Sequence, residues 1–187
     1  MTMKFVSLGL TALLAAASGA ASAQSSSGLP TPFSVIGNVP VLCTAGTLTE
    51  DNGVFAVGVL VDLSTGLLRH DLSAPPKVLH GTFCTSRSTI TIEATALIAQ
   101  ASTGTPPAGF SNSVDFTAKA EGWTPSPAVF TTSAATNPNA VQTRDTGFTG
   151  DITVSIGDFT TVGGPGLRLV EDPLYQGAVV VTLAAAN

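Results

Sequence analysis

Charge is what this chain has least of. Asp, Glu, Lys and Arg make up 10% of its 187 residues, and aromatic residues 6%, with one Trp and one Tyr. Seven Lys and Arg stand against twelve Asp and Glu, a net charge of −5. That balance excludes the clustered basic surface by which proteins hold nucleic acid or anionic membrane. Beyond Lys4 the basic residues (Arg69, Lys77, Arg87, Lys119, Arg144 and Arg168) are scattered singly. Only two cysteines occur, with no Cys-x-x-Cys, so a dithiol redox centre is excluded. The Gly-x-Ser-x-Gly elbow of serine hydrolases is missing too. Gly163-Gly164-Pro165-Gly166 lacks the Lys and the spacing of a phosphate loop and reads as a turn.

What is present is a leader and a pattern of strands. Residues 1–23 combine Lys4, an apolar run from Phe5 to Ala17 and a small-residue site at Ala21-Ser22-Ala23. This is the layout of a secretory signal peptide, too short to span a bilayer. The expected product is exported to the periplasm, the cell surface or the medium, with no membrane insertion after cleavage. In an oxidising compartment Cys43 and Cys84 are expected to pair, and only one pairing exists. The loop they close is about 40 residues long, worth about 4 kcal/mol in the chain-entropy account.

Thr, Val, Ala, Gly and Pro dominate the rest, a composition suited to strands joined by Gly/Pro turns. Residues 24–32 form a patternless Ser/Gly/Pro leader. Phe33, Val35, Gly37, Val39, Val41 and Cys43 then recur at strand period, with Pro32 and Pro40 limiting them to an edge or an unpaired extension. Residues 54–63 are nearly all apolar and predict a strand buried on both faces, or a bend. Residues 78–84 predict a short strand. Over 89–98, Ile90, Ile92, Ala94, Ala96 and Ile98 are expected to face one way. Val114, Phe116 and Ala118 should point inward, as should Ile152, Val154 and Ile156. Residues 133–147 read as one long polar loop, and 175–183 as a closing strand. Seven to nine strands without a helix predict an all-β fold, an immunoglobulin-like antiparallel β-sandwich with one disulfide. It would occupy 43–187, after an N-terminal extension or first strand at 24–42.

No constellation of residues names a reaction. His70 and His80, with Asp71, match no metal-ligand spacing, and solvated side chains are the better reading. Glu93, Asp115 and Glu121 are the carboxylates a secreted hydrolase would use, but Glu93 and Asp115 sit on polar strand faces where solvated acids belong. Trp123, Phe130 and Tyr175 are expected in the core rather than on a sugar-stacking platform. No catalytic residue, metal or cofactor is expected.

With the strands placed, the order of features resembles the chaperone–usher pilins, subunits of bacterial surface fibres. Phe33-Ser34-Val35-Ile36-Gly37-Asn38-Val39 ahead of Cys43 is similar to their glycine-interrupted N-terminal extension. Phe55-Ala56-Val57-Gly58-Val59 loosely matches their apolar-Gly-apolar strand. Val78-Leu79-His80-Gly81-Thr82-Phe83-Cys84 is similar to the strand that ends on their second cysteine, and 175–183 takes the place of their last strand. The chain departs from them at Leu183-Ala184-Ala185-Ala186-Asn187, where the family often carries an aromatic. The resemblance implies a non-enzymatic subunit that donates Phe33, Val35, Val39 and Val41 to a neighbour's groove, with Gly37 where that groove is shallow. Its partners would be identical or related subunits and a periplasmic chaperone. The alternative is a monomeric binding module for carbohydrate or protein, with 33–43 folded as its own first strand.

Overall fold

Alternating apolar and polar residues give strands, and the described residues contain strands and no helix. A computed structural model describes residues 34, 36–48 and 53–186. The expected signal peptide at 1–23, the leader, Phe33 and Val35 lie outside them. Eleven strands follow in order: β1 (Cys43–Thr44), β2 (Thr47–Leu48), β3 (Lys77–Cys84), β4 (Ser88–Ala99), β5 (Phe110–Ser111), β6 (Ser113–Glu121), β7 (Ala128–Thr131), β8 (Val141–Arg144), β9 (Phe148–Thr161), β10 (Arg168–Leu169) and β11 (Tyr175–Ala185).

Nine of them form one antiparallel sheet in the order β1-β3-β9-β6-β4-β11, with β2 on β3, β7 on β6 and β8 on β4. β5 and β10 make a separate parallel pair. β4 and β6 pair only at Leu97–Val114 and Ile98–Ser113. Beyond that point they diverge, and β7 and β8 fill the wedge between them, tied by Ile92 N–H to Ala140 O and Val129 N–H to Asn139 O. At the other extreme β1 comes alongside β11, so the sheet curls nearly into a barrel.

The core fills that curl. Ile90, Ile92, Phe116, Ala118, Ala120, Ile152 and Val154 are buried, as the alternation predicts, with Ala94 and Ile156 packed beside them. Trp123 is 0% exposed. Its ring meets Phe148 edge-on at 5.2 Å, and its Nε1–H donates to Ser88 Oγ at 3.2 Å. Arg144 lies 3.6 Å over the other ring and donates to the Trp123 carbonyl. Trp123, Phe130 and Tyr175 do not share a face, because Trp123 is inside, Phe130 packs on the main core and Tyr175 belongs to a second, smaller cluster around Val114 and Leu169.

Three bulges correct the simple alternation. Between Gln176 and Ala178 of β11, β4 advances one residue further, from Ile98 to Thr95. An extra residue reverses which face the side chains take. Leu97 and Ala99 therefore turn inward, and Ile98, expected in the core, is 44% exposed. A second bulge sits on β9 at Asp158, where φ is +53°, and returns Phe159 to the core. The third lies in β3 at His80 and Gly81, opposite Asp151.

Two other expectations give way. Residues 133–147 are not a single loop, because 141–144 pair with the outer flank of β4 as β8. Residues 54–63 do not form a buried strand. Val54, Val59 and Leu63 are exposed, and only Val61 makes a bridge, to Leu68. Gly58, at φ +81°, breaks the extended geometry a ladder needs.

Candidate assembly surface

Cys43 and Cys84 are directly opposite partners on β1 and β3, and they are bonded. A formed disulfide is consistent with an exported, oxidising environment. The chain ahead of it leaves the sheet. Pro40 and Leu42 touch the turn after β3 through the Thr85 hydroxyl, and Thr85 N–H donates to Leu42 O at 2.9 Å. None of residues 36–42 is in a strand. Val39 is 78% and Val41 61% exposed, and Gly37 is exposed too. Of the five residues singled out for strand donation, these three are the ones within the described chain.

β11 is the second half of the surface. It is the end strand of the order, eleven residues long, and carries no charge and no proline. The remaining edge and flank strands β1, β2, β7 and β8 have two or four residues each. Ala186 N–H donates to Arg87 O, which fixes the phase of the β4–β11 ladder. Backbone groups alternate in direction along an antiparallel strand. Those of Val179, Val181 and Leu183 therefore point away from β4. The side chains of the same three residues face the core yet stay only half-buried, so the core is thinly covered along this flank. Long, uncharged edges of this kind are sites where a further strand adds.

Between β11 and β3 the curl leaves a seam. At the ends of these two strands β1 narrows it. At their starts residues 54–61 cross it, with Phe55 on the main core beside Lys77 and Leu60 on the second cluster near Tyr175. A cavity of about 700 Å³ remains between this segment and residues 168–175, over Leu97 and Phe110. Asp172 braces the far wall. Its carboxylate accepts from the backbone N–H groups of Ser102, Ala101 and Leu174 at 2.7, 2.8 and 2.9 Å. Desolvation acts to raise its pKa, but these donors outweigh it and hold the group below its ordinary value. The Tyr175 hydroxyl donates to Val170 O at 2.9 Å, and burial with the Asp172 charge raises its pKa.

The candidate chemical groups do not converge. His80 Nδ1 meets Asp151 Oδ2 at 2.9 Å, while Asp71 is held by Arg69 at 2.7 and 2.9 Å. Asp115 accepts from Thr132 Oγ1, and Glu93 and Glu121 are exposed on separate strands. Among the described residues no group of three or more metal-ligating side chains forms. The His80–Asp151 pair had no sequence signal, because a bulge rather than a motif brings the two together.

No family model, no curated protein and no solved structure matches the chain.

Proposed function

We propose that this protein is an exported, non-enzymatic structural subunit that polymerises by strand donation. On this reading the signal peptide is removed and residues 33–41 of one copy add to the β11 edge of the next. The acceptor is an immunoglobulin-like sandwich short of one strand, comparable in plan with a pilin subunit. The observation that carries the reading is a pair of unmet halves in one chain. An apolar segment stands outside the sheet before Cys43, and a long uncharged edge lies beside a half-covered core. Tyr175, bonded to a carbonyl five residues upstream at the start of β11, adds a corner of the kind seen in immunoglobulin-like sandwiches. A head-to-tail contact of this sort does not close on itself, so it builds a fibre.

The test is the mass of oxidised protein 24–187 by light scattering. The full chain should form a ladder of multiples. A version lacking 24–42 should remain single, and so should Thr182→Lys, which charges the exposed side of β11. A second reading, a monomeric binding module, is favoured by the apolar cavity beneath residues 54–61. A full chain that stays single at every concentration removes the polymer and leaves that module.

A further inference from the structure

Residues 55–58 occupy the seam without being built into it. Among the described residues they neither donate nor accept a backbone hydrogen bond, although Phe55 is packed against the core. Beyond them, Val59 O and Leu60 O accept from Arg69. The cavity lies directly beneath the segment, so its inner side is incompletely packed. Few backbone bonds and sparse packing are what make a segment open at low free-energy cost.

Chain direction shows what such a segment gives way to. β1 runs antiparallel to β3, and β3 and β11 run the same way across the sheet. Residues 43–48 thus descend along the seam toward 54–60, while Pro40 to Leu42 leave at the opposite end, beside Thr85. For a chain to fill its own seam with residues 33–41, it would have to turn back ahead of Cys43, where Pro40 and Leu42 are tied to Thr85. A second copy meets no such constraint. The donor segment also shares a Phe-x-Val triplet with the seam segment, Phe33-Ser34-Val35 against Phe55-Ala56-Val57.

We infer that residues 55–60 are a displaceable plug, held in the seam of the free subunit and expelled when residues 33–41 of a second copy enter. This rests on the strand-donation reading and adds the step that regulates it. The plug keeps the core covered before assembly. It also slows addition, because the incoming segment must wait for the seam to open or drive Phe55 out.

The experiment uses the full exported chain with Val39→Asp and Val41→Asp, exposed changes that disable its own donor. Phe55 is replaced by 4-fluorophenylalanine, and a dye-labelled peptide of residues 33–41 is titrated in. Binding is read by anisotropy and the Phe55 environment by fluorine NMR. The expected result is saturable binding, with the fluorine resonance moving to the solvent-exposed position in step with saturation. Binding that leaves the resonance in its core position overturns the plug and leaves strand donation standing. Absence of binding overturns strand donation and the plug with it.

Discussion

Asp172 organises two stretches of chain from one half-buried carboxylate. It ties the loop after β4 to the residues that lead into β11, using backbone donors and no cation. Its folded pKa lies below the unfolded one, so its contribution to stability is complete above the ordinary carboxylate range. It is lost as pH falls through the folded value. Asp62, held by Ser64 and Thr65, and Asp71, held by Arg69, titrate with the same sign. In urea unfolding taken from about pH 6 to about pH 2, the Asp172→Asn chain should lose less stability than the parent. Equal acid limbs would show that the clamp adds nothing beyond the other two. Nothing in the sequence sets Asp172 apart from Glu171 beside it. Two of its three partners are backbone N–H groups some seventy positions away, which composition does not reveal. Trp123 is the opposite case. A lone Trp in a chain poor in aromatics is expected in the core, and it is there.

At the scale of the element, the long strands and most of their phase were legible, but phase beyond a bulge was not. Ile90, Ile92, Val114, Phe116, Ile152 and Val154 all fall inward as their period dictates, Val114 into the smaller cluster. Ile98 does not, because parity is a running count and a single inserted residue resets it. Gly177 is the physical trace of that insertion. A Cβ there would lie 2.5 Å from Thr95 O and 2.9 Å from Ala96 O, so only glycine lets the bulged backbone of β4 approach β11. Gly177→Ala should cost about 1–3 kcal/mol, read as a lower urea midpoint. An unchanged midpoint would mean that the two strands separate freely at that point. Residues 54–63 misled for a different reason. Apolar composition marks a segment for contact with the core, but ladder formation also needs a free edge in register and a regular backbone, which Gly58 denies.

Over the whole molecule, the disulfide links β1 to the end of β3. Cys43→Ala with Cys84→Ala should lower stability by about 2–4 kcal/mol in urea unfolding, the range typical of such a cross-link. A loss well under 1 kcal/mol would mean that β1 is held by its ladder alone. The all-β class and the pairing of the cysteines could be read from the residues. The near-closure of the sheet could not, since it depends on β7 and β8 opening a wedge between β4 and β6. The open edge was legible only in part. The lack of charge in β11 can be seen in the sequence, but its place at the end of the order is a fact of topology.

The same covalent bond also decides how the molecule carries tension. A pull between its two ends enters at Cys43, crosses the sulfur bridge to Cys84 and continues through β4 and the strands beyond it to β11. Residues 44–83 lie outside that load path. The segment over the seam is therefore mechanically silent, and strain falls on the long ladders of β4, β6, β9 and β11.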